Sequence, residues 1–259
     1  IDKKFIEHAK NLKFIARVGA GMENIDVEFA QKSGIKLISS PEGNRDSVAE
    51  HVVGMLLILM NRLFIASTEV KNGIWKREEN RGDELLGKTF GIIGYGNMGK
   101  AVAKRLSGFG VSVIFHDIIP NLSDEFATQT TMETLYRDAD ILSLHLPLSP
   151  ETNYLIDEEF ISKMKKDIYF INTARGKNVK TQDLVKAIKS GKIKGAALDV
   201  LEYEKASFEN IESGNEDLQY LLHSEKAILT PHIAGWTVQS KEKLAQVIVD
   251  KILSDFSKS

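Results

Sequence analysis

Eight short apolar runs constrain this chain more than any other feature: "FIARV", "KLISS", "TFGIIG", "VSVIFHD", "ADILSLHLP", "DIYFINT", "IKGAALDV" and "KAILTPH". Segments with helical patterning separate them. Continuous apolar strands alternating with helices predict right-handed βαβ units and a parallel sheet covered on both faces. The expected fold class is therefore α/β, a doubly wound parallel sheet. With 259 residues, 42% of them hydrophobic, the chain can bury one large or two moderate cores.

Composition excludes several functions. A net charge of −2 and dispersed lysines leave no basic footprint for nucleic acid. The absence of cysteine removes disulfides and thiolate sites, no metal is expected, and the default compartment is the cytoplasm. The longest apolar run, "VVGMLLILM", is too short for a bilayer span and reads as buried helix. Ser47 can cap the amide of Glu50 while Glu50 returns the bond, which predicts a helix start there. The following "VAEHVVGMLLILMNRLF" is apolar on nearly every face, so it is buried between layers or at a subunit interface.

The first chemical motif lies in "TFGIIGYGNMGKAVAKRLSGFG". Gly94, Gly96 and Gly99 form G-x-G-x-x-G directly after a strand and at the head of a helix, where Asn97 and Met98 follow. Such glycines permit a tight turn and close approach of backbone amides to a pyrophosphate. The next strand ends in Asp117, about 20 residues on, where a carboxylate accepts ribose hydroxyls. Ile118, Ile119 and Pro120 offer no cation to a 2′-phosphate, and Asp117 would repel one. The expected cofactor is NAD.

Open α/β sheets bind ligands beyond the carboxyl ends of their strands. Arg175 follows "YFINTA", Asp199 and Glu204 follow "KGAAL", and His232 follows "AILTP". An arginine can grip a carboxylate bidentately, and a histidine beside a carboxylate can shuttle a proton. The set suits hydride transfer at a carbon bearing a hydroxyl and a carboxylate. His145 is an equally placed strand-end histidine, and Glu202 rivals Glu204.

At this point the chain resembles the D-isomer-specific 2-hydroxyacid dehydrogenases. "RVGAGMENID", "PEGNRDSVAEH", "GKTFGIIGYGNMGKAVAKRL", "LSLHLPLSPET", "INTARGKNV", "GAALDVLEYE" and "LTPHIAGWT" stand in the family's order. Within it, "RVGAGMENID" and "NGIWKR" are most similar to phosphoglycerate dehydrogenases. The resemblance implies that Arg175 binds and polarises the substrate, that His232 is the general acid/base, and that Glu204 orients the histidine. It implies that Asp199 contacts the nicotinamide carboxamide, that Ala20 and Gly21 hold the substrate carboxylate, and that Leu146, Pro147, Thr173, Ala174 and Gly235 line the cofactor. Lys205 after Glu204 and Trp236 after "HIAG" depart from the usual pattern, as does Asn97, which stands where an arginine is common.

The resemblance further implies a Rossmann domain over residues 44–233. A smaller flavodoxin-like substrate domain, N-terminally incomplete, is expected from residues 1–43 and the segment 234–259, with the ligands in the cleft between. The expected reaction is NAD-dependent oxidation or reduction at C2 of a D-2-hydroxy acid. The preferred substrate is 3-phosphoglycerate, with Arg17, Lys76, Arg77 and Arg81 as candidate phosphate contacts, which would place the chain in serine biosynthesis. A hydroxypyruvate or glyoxylate reductase is the alternative. The same fold and residues also resemble the C-terminal binding protein corepressors, which bind NAD(H) in support of partner binding. A homodimer through the Val48 to Phe64 helix is expected.

Overall fold

The computed structural model describes residues 1–204 and 215–256. Lys205 falls outside them. The chain divides into two compact units, one of residues 1–47 with 235–259 and one of residues 48–234.

The first unit holds α1 (Lys3–His8), β1 (Phe14–Arg17), α2 (Val27–Lys32), β2 (Lys36–Ser39), the start of α3 (Pro41–Met60) and, at the chain's far end, α10 (Val238–Phe256). β1 and β2 pair in parallel, and Ile6, Ile15, Ala30 and Ile35 form the core beneath them. Gly43 lets α3 meet α10 closely, since a Cβ there would lie 2.6 Å from the Leu244 backbone. Lys251 adds an ammonium shared by the Ser39 carbonyl and the Glu42 carboxylate.

The second unit holds the remainder of α3, α4 (Leu63–Lys71), β3 (Thr89–Ile93), α5 (Asn97–Leu106), β4 (Ser112–His116) and β5 (Thr128–Gln129). Next come α6 (Met132–Asp138), β6 (Ile141–Leu144), α7 (Glu158–Lys163), β7 (Ile168–Asn172), α8 (Thr181–Ser190), β8 (Ile193–Leu198), α9 (Glu216–His223) and β9 (Ala227–Leu229). Among the described residues these strands form a seven-stranded, all-parallel sheet in the order β5-β4-β3-β6-β7-β8-β9. The order reverses between β3 and β6, the switch point at which doubly wound sheets open their ligand crevice.

Strand period explains why both faces are dry. Phe90, Ile92, Ile141, Ile171 and Ala197 point to one core, and Leu142, Leu144, Phe170, Ala196 and Leu198 to the other. On the first face α3 lays down Val48, Ala49, Val52, Met55, Leu56, Leu59 and Met60, a helical stripe buried against the sheet. The apolar helix is thus largely explained by its own core.

One local expectation fails, and one strand carries no signal in the sequence. The long helix starts at Pro41, and Ser47 lies inside it, so no capping box opens it. Proline is preset for the first helical position and has no amide to satisfy there, which lets the helix begin two turns early. The strand β5 was not expected, because two residues carry no readable period. No single helix among the described residues is long and apolar enough to cross a membrane; α3 and α4 pass only as a pair, bent by 61°.

Phe115 is fully buried and stacks on Tyr95 with ring centroids 3.7 Å apart. Phe115→Ala is expected to lower stability by about 3–5 kcal/mol, read as a reduced urea midpoint at unchanged slope.

Candidate active site

The phosphate turn joins β3 to α5. Gly94 has φ 90°, and a Cβ on it would come within 2.5 Å of the His145 carbonyl oxygen and 2.9 Å of Leu146. A Cβ on Gly99 would sit 2.3 Å from the Gly94 carbonyl oxygen. Both positions therefore demand glycine. Gly96 differs, with open space where its side chain would be. It is the N-cap of α5 and gives that helix no side-chain cap, so the leading amides around Asn97 and Met98 are left to an acceptor from outside the helix. An anion with close backbone access fits that combination.

Asp117 directly follows β4, opposite the turn. Its two oxygens accept the amides of Tyr95 (2.7 Å) and Ile119 (2.9 Å), which fixes the carboxylate beside the glycines. Tyr95 itself is buried and donates to Asp124; burial, then that bond, raise its phenol well above the ordinary range.

Arg175 stands after β7 on a turn held by two asparagines. Asn172 accepts the Ala174 amide and donates to the Arg175 carbonyl, and Asn178 accepts the Arg175 amide while donating to the Thr152 carbonyl. Both asparagines are buried. The motif reading missed them; amides at the end of an apolar run were the available signal. Gly176 then meets the turn after β8, because a Cβ there would overlap the Leu201 carbonyl at 2.0 Å. Ala174 is buried, and the Thr173 hydroxyl is buried without a hydrogen-bond partner. Pro147 presents its carbonyl to Thr152.

Glu204 and His232 meet. The histidine Nδ1 is 2.8 Å from one carboxylate oxygen of Glu204, whose other oxygen accepts the Leu201 amide. Glu202 faces elsewhere, accepting from Tyr154 (2.8 Å) and from the Thr181 amide at the head of α8 (2.9 Å). His145 is also set apart: its Nε2 pairs with Ser143 at 2.9 Å, and desolvation pushes its proton affinity far down.

His232 is one of the few non-glycine residues with positive φ, at 55°. Asp199 holds that conformation. Its carboxylate, 1% exposed, accepts from Thr230 (2.5 Å), the Ile233 amide (2.8 Å) and the Ala234 amide (2.8 Å), while its carbonyl accepts the His232 amide (2.8 Å). Here Asp199 clamps the histidine turn.

Ala20 and Gly21 belong to the first unit, where Arg17 donates to the Gly21 carbonyl. Gly235 lies in the same unit, against the side-chain amide of Asn44, and Trp236 beside it is exposed. The candidate phosphate cations are largely engaged. Lys76 pairs with Glu69 and Arg81 with Glu78, and Arg81 lines a pocket with Tyr169, Lys194 and Lys226, at the amino ends of β7, β8 and β9. That is the sheet edge opposite His232. Among the described residues no cluster of three or more His, Asp or Glu is placed to hold a metal.

Comparison with known proteins agrees with this chemistry. Residues 53–234 match the family described as D-isomer specific 2-hydroxyacid dehydrogenase, NAD binding domain. The chain is 37% identical over 250 residues to a hydroxypyruvate reductase of Thermotoga maritima, covering 96% of this chain and 79% of that protein. It is 37% identical to a D-3-phosphoglycerate dehydrogenase of Archaeoglobus fulgidus, covering 98% of this chain and 47% of the relative. Among solved structures, D-lactate dehydrogenase of Aquifex aeolicus, complexed with NAD and lactic acid, superposes with a TM-score of 0.84 at 33% identity, over 98% of this chain and 80% of that one.

Replacing Asp117 with alanine is expected to weaken NADH binding by about tenfold or more, the loss of charge-assisted hydrogen bonds worth ~1.5–3 kcal/mol. NADPH binding should strengthen, because the charge that repels its 2′-phosphate is gone, so fluorescence titration would show the preference between the two collapsing.

Proposed function

The chain belongs to the D-isomer specific 2-hydroxyacid dehydrogenase family, and from that premise we propose that it reduces a small 2-oxo acid without a phosphate, of the size of hydroxypyruvate or glyoxylate. When bound at the glycine turn and Asp117, NAD would supply or take up the hydride. The observation that carries the chemistry is the 2.8 Å pair of His232 and Glu204 at the carboxyl end of the sheet.

In the reducing direction Arg175 pairs with the substrate carboxylate and draws electron density from the C2 carbonyl. His232 delivers a proton from its outer nitrogen to the C2 oxygen as the hydride reaches C2. Glu204, bonded to the inner nitrogen, fixes the ring's tautomer and stabilises the charge change. Oxidation runs the same path backwards, with His232 taking the hydroxyl proton. Ala20 and Gly21 are proposed to offer backbone amides to the substrate carboxylate. The buried Thr173 hydroxyl, with Leu146, Pro147 and Ala174, is proposed to face the cofactor. Asp199 keeps one oxygen with a single amide bond, which leaves room for a carboxamide contact.

The choice of substrate rests on charge. A phosphate needs cations beside Arg175, whereas Lys76 and Arg81 are paired, and Arg81 lies at the far edge. Phosphohydroxypyruvate remains the second reading, supported by the 37% identity to a phosphoglycerate dehydrogenase.

We also propose a cytoplasmic homodimer. The Val48 to Met60 stripe is spent on the core, so the self-association surface moves to α4 and its exit, where Leu63, Phe64, Val70, Ile74 and Trp75 are exposed.

NADH oxidation should proceed with hydroxypyruvate or glyoxylate and be much weaker with phosphohydroxypyruvate; the opposite order would favour the phosphoglycerate reading. His232→Ala should cut kcat by about 10²–10⁴-fold. NADH that binds and is never oxidised would sink the proposal. Light scattering should give twice the 28.9 kDa chain mass, and Phe64→Glu should return the monomer.

A further inference from the structure

His51 lies on α3, far in sequence from the proposed acid/base, yet hydrogen bonds connect the two. Its Nε2 is 3.0 Å from the Thr230 hydroxyl and 3.6 Å from Asp199 Oδ1. Thr230 in turn reaches the same Asp199 oxygen at 2.5 Å, and Asp199 holds the Ile233 and Ala234 amides. We propose that His51 is a positioning residue, acting through Thr230 and Asp199 to hold His232 in its left-handed backbone conformation. The proposal rests on the reading of His232 as the proton donor.

Hydrogen counting gives the chain of bonds a direction. Both Asp199 oxygens already serve as acceptors for backbone amides, so the single Thr230 proton goes to Oδ1. The Thr230 oxygen is then left as an acceptor, and Nε2 of His51 is the group that donates to it. Met55, one turn along α3, offers only a thioether 3.8 Å from the same hydroxyl and cannot replace that donor. Without His51 the hydroxyl can rotate toward the sulfur and release the carboxylate. The strained turn would then lose part of what over-determines it.

Side-chain size and donor capacity make separable predictions. His51→Gln keeps an N–H at the same reach, whereas His51→Leu keeps apolar bulk and removes the donor. Thr230→Val, nearly isosteric, cuts the link from the other side. The leucine and valine variants are expected to lose kcat by about tenfold or more, with KM for the oxo acid within about threefold, because a shifted acid fails in the transition state while substrate binding persists. The glutamine variant should retain most of kcat. Amide hydrogen exchange provides a readout independent of turnover: Ile233 and Ala234 should lose protection in the leucine and valine variants and keep it with glutamine. Full kcat in His51→Leu, equal losses in the leucine and glutamine variants, or unchanged protection of those two amides would overturn the proposal. An enzyme with no turnover on any acid would defeat the reading of His232 instead, and the exchange measurement would still decide the role of His51.

Discussion

A carboxylate buried to 1% exposure must be met by donors, and the way Asp199 meets that requirement organises the site. Its bonds run to Thr230, Ile233 and Ala234, and its carbonyl takes the amide of His232. The end of β8 is thereby tied to the turn after β9. His232 occupies a positive-φ conformation that is uncommon for L-residues, and the bonds to Asp199 hold the turn around it. Glu204, on the segment leaving β8, lies 2.8 Å from the His232 ring.

The same economy recurs around the sheet. Each loop at the carboxyl edge is held by a neighbouring loop: Gly94 against His145, Gly176 against Leu201, Asp117 against the Tyr95 amide. Parallel strands deliver all these turns to one edge, and the absence of a Cβ at particular glycines brings them within contact. Rigidity at that edge is what a hydride transfer needs, because donor, acceptor and proton source must be aligned together. The open space at Gly96 is the exception. It lies where a cofactor phosphate would enter.

Much of this was legible in the residues. Apolar runs of strand length with helical spacers dictate a parallel sheet, and G-x-G-x-x-G followed by a strand ending in Asp117 has few structural meanings. Less could be read where the decision depends on long-range geometry. Glu202 and Glu204 differ by two positions, and only the fold shows one on Thr181 and the other on His232. His145 looks like His232 in sequence until burial and Ser143 separate them. Ser47 offered a plausible cap, but Pro41 had already begun the helix. Thr230 and His51 gave no local signal of purpose, because each acts by holding a partner distant in sequence.

The central claim is that this edge transfers hydride between a nicotinamide and C2 of a D-2-hydroxy acid. The most direct measurement is isotope transfer, with NADH carrying deuterium at both C4 positions supplied together with hydroxypyruvate. The account predicts deuterium at C2 of a product of D configuration, one atom per NADH consumed. Product without deuterium at C2, or of L configuration, would contradict it.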